Sequence, residues 1–220
     1  MPPVGQIGVQ KIRGQLRPTS HYVMWAKRLA SWGYVAMVPD SFSPRGPMDI
    51  CLNTPSVPPV VRVSDTNGAA EFLNEQPYVQ AKNIGVIGFS HGGWTIMRLV
   101  QENSFAKGYG IKGAVAYYPL CDLQQHTQIA IPTLVLIGEL DTGTPAFRCR
   151  DLSRFLKRPQ LFDLIVYPNA YHSFDVDMLP QNVQGMGVGR VIAFRRYERD
   201  PEADVDSQQR TKAFFADLLK

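Results

Sequence analysis

A serine flanked by glycines is the first feature of this chain whose spacing indicates chemistry. The stretch Gly88-Phe89-Ser90-His91-Gly92 fits the pattern Gly-x-Ser-x-Gly, in which a sharp turn between a strand and a helix exposes the serine hydroxyl. The run 83–89 that leads into Ser90 is rich in apolar residues, and residues with helical spacing follow it. Glycines two positions either side leave room for the strand and the helix to approach each other. The pattern predicts Ser90 as a nucleophile, with a tight turn holding a structural serine as the alternative.

A nucleophilic serine needs a base, because its hydroxyl attacks poorly until a neighbouring group accepts the proton. His172 lies in the loop 168–174, directly after the apolar run 162–167. Loops that follow the carboxyl ends of parallel strands line the functional sites of α/β proteins. We therefore expect His172 to be the base. The three other histidines are less favourably placed in the sequence: His21, His91 and His126.

A carboxylate is expected between the serine and the histidine, since α/β-hydrolases order their triads as serine, acid, histidine. Asp141 closes the stretch Gly-Glu-Leu-Asp directly after the apolar run 133–137. It would accept the second ring N–H of His172 and so fix the tautomer that can take the serine proton. Glu139 is the close alternative and Asp122 a more distant one. A helix-capping aspartate is the alternative role for Asp141.

The three side chains need a scaffold that brings them together. From residue 33 onward the chain alternates apolar runs with stretches of helical period. This alternation is typical of a parallel sheet with crossover helices. The prediction is an α/β fold in one domain over residues 1–220. Strands are predicted at 34–38, 83–89, 114–118, 133–137 and 162–167. Helices are predicted at 22–32, 63–74, 94–100, 145–156 and 207–219, the last with Ser207 as its N-cap. Residues 41–59 are predicted to be a loop, and residues 178–201 a surface excursion.

The composition excludes several function classes. Of the 220 residues, 45% are hydrophobic and 19% charged, which is typical of a globular protein. The net charge is +4, but lysine and arginine are dispersed, so we expect a solvated basic surface and no nucleic-acid partner. No apolar run has the length of a membrane span and no signal peptide is recognisable, so the expectation is a cytoplasmic protein without a membrane partner.

The three cysteines, Cys51, Cys121 and Cys149, follow none of the spacings of a zinc site. Three cysteines allow at most one internal disulfide bond. The favoured expectation is three buried or partly buried thiols, with one disulfide as the alternative. The predicted chemistry requires no metal and no organic cofactor.

Four ordered segments resemble the dienelactone hydrolase family of α/β-hydrolases: GFSHGG at the nucleophile, LVLIGELDTGTPA at the acid, YPNAYHSFD at the base and VPDSFSPRG after an early strand. The resemblance runs from about Arg17 to the C-terminus. It implies an α/β-hydrolase fold, a mostly parallel sheet with helices on both faces, and hydrolysis of small carboxylic esters or lactones through an acyl-enzyme. The family's namesake uses cysteine, so Ser90 indicates the serine esterase branch. A non-catalytic binding protein, an acyltransferase and a peptidase are the alternatives.

The resemblance also predicts the oxyanion donors and the substrate contacts. One donor is the backbone N–H of His91. The stretch 14–17 resembles the end of the family's oxyanion loop, which places the second donor near Arg13. Trp94 and Tyr22 are candidates for an apolar substrate cleft, although such aromatic residues are more often core. Arg45 is a candidate for binding a substrate carboxylate, with an exposed surface arginine as the alternative.

The N-terminal part departs from the family, whose members carry two or more strands there. Only residues 1–19 precede the first predicted helix. The chain is expected to be a shortened family member or to lack the natural start, and its sheet is expected to expose an edge. A second copy could cover such an edge, which predicts a homodimer.

Overall fold

The computed structural model describes residues 9–12, 15–46, 56–176, 183–185 and 195–220. The strands within these residues are β1 Val9–Ile12, β2 Gln15–Pro18, β3 Ile84–Phe89, β4 Ile111–Tyr117, β5 Thr133–Gly138, β6 Phe162–Tyr167, β7 Val183–Gly185 and β8 Arg195–Tyr197. The α-helices are α1 Ser20–Ser31, α2 Pro59–Asn74, α3 His91–Leu99, α4 Ala146–Arg154 and α5 Pro201–Leu218. None of the helices so described is both long and apolar enough to cross a bilayer.

A four-stranded parallel sheet in the order β3-β4-β5-β6 forms the centre of the fold. The two inner strands, β4 and β5, are almost wholly buried, as expected when helices cover both faces. A Cβ atom added to Gly85 would lie 2.8 Å from Phe215 of α5, and one added to Gly88 would lie 2.8 Å from Ile96 of α3. The two helices therefore pack on opposite faces, and the predicted α/β architecture is confirmed.

The carboxyl ends of the parallel strands position the predicted site. Ser90 follows β3 and Tyr118 follows β4. The acid loop, residues 139–145 with Asp141, follows β5, and the histidine loop, residues 168–174 with His172, follows β6. All four strands run in one direction, so these ends meet at a single edge of the sheet. The strands predicted at 83–89, 114–118, 133–137 and 162–167 are confirmed to within a few residues at their ends.

The last helix begins earlier than predicted. Helix α5 starts at Pro201, and the Asp200 side chain accepts hydrogen bonds from the backbone N–H groups of Glu202 and Ala203, each at 3.1 Å. Ser207 is therefore buried inside the helix and is not its N-cap. Asp200-Pro201 is a stronger helix start, because aspartate caps well and proline suits the first helical position. The predicted surface excursion also contains a short antiparallel pair, β7 with β8.

The strand predicted at 34–38 is wrong. The segment pairs with no strand in the described residues, and Val35 is 50% exposed. A cavity of about 570 Å³ separates it from β3, and both line that cavity. An extended segment becomes a strand only when a neighbour pairs with its backbone groups. The edge of β3 is consequently unpaired within the described residues, and the homodimer stays a prediction.

The expectation of three free thiols is also wrong. Cys121 follows β4, Cys149 lies in α4, and the two form a disulfide bond with a Cα–Cα distance of 5.0 Å. Strand β5 lies between the two cysteines in the sequence, so their spacing could not reveal that they are close enough to bond. Cys51 lies outside the described residues.

We expect the disulfide bond to contribute roughly 3 to 4 kcal/mol to the free energy of unfolding, because it closes a loop with a sequence separation of 28. Urea denaturation of the oxidised protein and of the protein in dithiothreitol measures this difference. The variant Cys51→Ala should keep the same difference, since that cysteine is not part of the bond. Equal midpoints in both conditions would contradict the prediction.

Candidate active site

Ser90 occupies the turn between β3 and α3, in a backbone conformation that few residues adopt. Its φ is 52° and its ψ is −113°. Such a conformation costs of order 1–3 kcal/mol for a residue with a side chain and is concentrated at functional sites. The Ser90 N–H donates to the carbonyl of Tyr117 at 3.0 Å, which ties the turn to the end of β4.

The two motif glycines differ in how crowded they are. A Cβ atom on Gly88 would lie 2.3 Å from the carbonyl oxygen of Gly92. A Cβ atom on Gly92 would meet nothing closer than an Arg62 nitrogen at 3.9 Å, whereas one on Gly93 would lie 2.7 Å from the Tyr117 oxygen. The close approach of strand and helix thus requires glycine at 88 and 93. The expectation that position 92 must be small for this reason is wrong.

We expect Gly88→Ala to lower the free energy of unfolding by about 3 kcal/mol, because the new methyl group overlaps backbone atoms that cannot move independently. Gly92→Ala is the matched control. It should be neutral, or stabilising by up to about 1 kcal/mol, because alanine favours the helix. Urea denaturation of both variants measures the contrast, and similar losses in the two would contradict the prediction.

The three predicted catalytic side chains lie in one chain of hydrogen bonds. Ser90 Oγ is 2.8 Å from His172 Nε2, and His172 Nδ1 is 2.7 Å from Asp141 Oδ2. The side chains of His172 and Asp141 are almost fully buried. The structure therefore brings together the serine, the histidine and the aspartate that the sequence analysis singled out.

Asp141 also organises its own loop. Its Oδ1 accepts the N–H groups of Gly143 at 2.7 Å and Thr144 at 2.8 Å, while Oδ2 faces His172. Burial acts to raise the pKa of Asp141, but the charge and hydrogen bond of His172, together with the bonds from Thr144, outweigh burial and lower this pKa. The carboxylate is consequently ionised at neutral pH. Helix α4 begins at Ala146 and receives no side-chain cap, so Oδ1 holds the loop before the helix and does not cap it, while Oδ2 is the oxygen that faces His172.

The competing acids and histidines have other partners. Glu139 is exposed and pairs with Arg150. Asp122 accepts hydrogen bonds from its neighbours Gln124 and Gln125. Two of the remaining histidines are likewise engaged away from the serine: His21 with Asp175, and His126 with the backbone N–H of Asp122.

The comparison with known families decides what kind of protein carries this arrangement. The model of the dienelactone hydrolase family matches residues 7–219. The chain belongs to the dienelactone hydrolase family. The family match covers both the acid loop and the histidine loop as well as the nucleophile turn, so the resemblance stated from four segments is confirmed.

Curated relatives carry lactone-hydrolase names. The chain is 25% identical over 169 residues to a protein of Methylorubrum extorquens named as a candidate carboxymethylenebutenolidase, covering 70% of this chain and 58% of that protein. It is 26% identical over 163 residues to a protein of Bradyrhizobium sp. named as a candidate 2-oxo-3-(5-oxofuran-2-ylidene)propanoate lactonase, covering 66% of this chain and 64% of that protein. The chain thus spans less than two thirds of the length of these curated relatives.

Solved structures of dienelactone hydrolase-like proteins share the fold. A structure from Klebsiella pneumoniae, titled as a candidate dienelactone hydrolase, superposes with a TM-score of 0.70 at 20% identity, over 95% of this chain and 97% of the other. A dienelactone hydrolase-like promiscuous phosphotriesterase from metagenomic libraries superposes with a TM-score of 0.64 at 20% identity, over 92% and 82% of the two chains. At this level of identity the similarity establishes the α/β-hydrolase fold alone.

Of the two predicted oxyanion donors in this dienelactone hydrolase family member, only the one at His91 lies within the described residues. His91 is the first residue of α3, and the first N–H groups of a helix have no partner within the helix. Its side chain is held aside, since Arg62 Nη1 lies 2.9 Å from His91 Nδ1. Burial, reinforced by the charge of Arg62, lowers the pKa of His91 to about 4, so the ring is neutral at pH 7. Arg13 lies outside the described residues.

The three predicted substrate contacts stay predictions, and the structure gives each of them a different local environment. The Arg45 guanidinium is paired with both oxygens of Asp65, at 2.9 and 2.7 Å, which favours the alternative of a surface arginine. Tyr22 lines the cavity beside β3, and Ser90 is not among the residues that line this cavity. Trp94 is half-buried on α3 and packs edge-on against the ring of His91, with centroids 5.5 Å apart.

Two polar residues near His172, Thr144 and Asp175, were not predicted from the sequence. Thr144 Oγ1 lies 2.8 Å from Asp141 Oδ2 and 3.0 Å from the carbonyl oxygen of Tyr118. Asp175 is buried three residues after His172. Both residues fall inside the segments that resemble the family. That resemblance is the feature of the sequence that could have indicated them. Within the part of the chain that the structure describes, no three histidine, cysteine or acidic residues are grouped to hold a metal ion.

Proposed function

We propose that this chain hydrolyses small carboxylic esters or lactones through an acyl-enzyme formed on Ser90. His172 acts as general base and then general acid, and Asp141 orients and stabilises it. The observation that carries the proposal is the pair of hydrogen bonds that links Asp141 to His172 at 2.7 Å and His172 to Ser90 at 2.8 Å. Membership of the dienelactone hydrolase family supports the same reaction class.

The reaction proceeds in two halves. Ser90 Oγ attacks the carbonyl carbon while His172 Nε2 takes its proton, and the carbonyl oxygen becomes an oxyanion. Collapse of this intermediate breaks the bond to the alcohol oxygen, which receives the proton from His172. Water then attacks the acyl-enzyme, with His172 as base, and the acid is released as Ser90 regains its proton. In a lactone the alcohol and the acid leave as one molecule.

The oxyanion is stabilised by backbone N–H groups. We assign one to His91, at the start of α3, and expect the second near Arg13. Loss of one such donor costs about 10²- to 10³-fold in turnover. The second donor therefore has a large effect on the turnover rate of the proposed enzyme.

Lactones belong in the substrate panel because of the names of the curated relatives. One relative is named for a butenolide and the other for a furanone-derived propanoate. Both names describe five-membered unsaturated lactones that carry a carboxylate. Short esters test the serine esterase expectation, so the two substrate types together cover the proposed class.

The test is hydrolysis of p-nitrophenyl acetate, p-nitrophenyl butyrate and a carboxylate-bearing butenolide, alongside labelling with a fluorophosphonate probe. We expect turnover of at least one substrate and one equivalent of label on Ser90. A folded, unlabelled and inactive protein would exclude the hydrolase and favour a non-catalytic binding protein. Transfer of the acyl group to an added alcohol in preference to water would indicate an acyltransferase.

A further inference from the structure

A second buried carboxylate lies beside the proposed triad. The Asp175 side chain is fully buried, and its two oxygens are shared among donors from α1 and from the end of β4. Oδ2 accepts the Trp25 indole N–H at 3.0 Å and lies 2.8 Å from His21 Nε2, while Oδ1 accepts the Tyr118 hydroxyl at 2.8 Å. A carboxylate is costly to bury unless it is satisfied in this way.

The pKa of Asp175 agrees with this geometry. Burial acts to raise it, but the charge and hydrogen bond of His21, with those from Tyr118 and Trp25, outweigh burial and lower the pKa. The carboxylate is therefore ionised and accepts hydrogen bonds from all three side chains.

Tyr118 connects this carboxylate to the proposed base. Its ring is buried, and its centroid is 4.7 Å from that of the His172 ring at an interplanar angle of 57°. Its backbone has a φ of 38°, an uncommon value for a residue with a side chain. The Tyr118 carbonyl accepts the Thr144 hydroxyl at 3.0 Å, and its N–H donates to Leu136 at 2.7 Å. Tyr118 is thus fixed by its backbone to the β5 and acid-loop region and by its hydroxyl to the histidine loop.

We propose that Asp175 positions the imidazole of His172 through Tyr118, whose hydroxyl it holds and whose ring packs against the imidazole. The inference rests on the proposed hydrolysis and adds a positioning function to it. Asp141 fixes one edge of the imidazole by a hydrogen bond, and the anchored Tyr118 ring limits its rotation about that bond. Neither Tyr118 nor Asp175 exchanges a proton with the substrate.

The effect is expected on turnover more than on binding. An error of about 1 Å in the position of a catalytic group can cost up to 10²-fold in rate. Releasing the Tyr118 hydroxyl loosens the ring without removing it. We therefore expect Tyr118→Phe to lower kcat about tenfold and to change KM by less than twofold.

Tyr167→Phe is the matched control. The Tyr167 hydroxyl also donates to a carboxylate, that of Asp206 in α5, at 2.8 Å. It should keep the wild-type kcat while showing what the loss of one such hydrogen bond does to thermal stability. A wild-type kcat in Tyr118→Phe, or an equal loss in both variants, would overturn the inference.

A double-mutant cycle separates positioning from general structural support. If Asp175 acts through the Tyr118 hydroxyl, Asp175→Asn should lower kcat in the wild type and have little further effect in Tyr118→Phe. Losses that multiply would overturn the inference, and if Asp175→Asn fails to fold the comparison of Tyr118→Phe with Tyr167→Phe decides alone. Inactivity of the wild type itself, with no fluorophosphonate label, would instead contradict the proposed function.

Discussion

Ser90→Ala is expected to lower ester hydrolysis by at least about 10⁴-fold and to abolish fluorophosphonate labelling, while the protein stays folded. The variant removes the oxygen that forms the proposed acyl-enzyme, and the residual rate is what the oxyanion donors and substrate binding supply without that nucleophile. Initial rates with p-nitrophenyl butyrate and the mass shift after labelling measure the two effects. Removing the hydroxyl leaves the Ser90 backbone bond to Tyr117 in place, so the turn should persist.

Ser153→Ala is the matched control for that variant. The Ser153 hydroxyl donates to a carbonyl within α4, at 2.7 Å from Arg150 O, and touches no residue of the proposed triad. It should be labelled and hydrolyse esters as the wild type does. Ester turnover that survives in Ser90→Ala would contradict the assignment of the nucleophile, and circular dichroism excludes misfolding as the cause of lost activity.

The positions of the three proposed catalytic residues were predictable because each follows an apolar run in the sequence. In a parallel sheet every carboxyl end lies at one edge, so Ser90, Asp141 and His172 must lie near one another once β3, β5 and β6 are recognised. For the acid, the sequence favoured Asp141 and left Glu139 as the close alternative, and the hydrogen bond between His172 and Asp141 is what distinguishes them. Local pattern and topology therefore place these three side chains near one another.

Contacts between distant elements were not predictable. Tyr118 and Asp175 are 57 positions apart, and nothing in either segment states that a hydroxyl meets a carboxylate. Arg45 pairs with Asp65, 20 positions away, and nothing in the segment around Arg45 indicates that partner. Segment 34–38 is a continuous apolar run typical of a buried strand, yet strand formation depends on a neighbour's backbone, which the segment itself does not encode. Side-chain pairing across the fold therefore could not be predicted from the local sequence.

Asp141→Asn is expected to lower kcat about 10⁴-fold with little change in KM, because it forces the wrong histidine tautomer. The orientation of the new amide is set by the acid loop. Asp141 Oδ1 accepts the N–H groups of Gly143 and Thr144, so the amide oxygen of the asparagine must stay there. Its NH₂ group then faces His172 and donates to Nδ1, which leaves the ring proton on Nε2.

A histidine protonated at Nε2 donates to Ser90 and cannot accept its proton, so the nucleophile is present but not activated. The fluorophosphonate labelling rate of Asp141→Asn should therefore fall with kcat, although the same single serine is still labelled at long times. Asp122→Asn is the matched control: it makes the same chemical change in a carboxylate that bonds Gln124 and Gln125, and it should keep wild-type kcat. A near-wild-type kcat in Asp141→Asn would show that His172 does not depend on this aspartate. A loss in both variants would trace the effect to stability, which thermal denaturation of each variant measures independently.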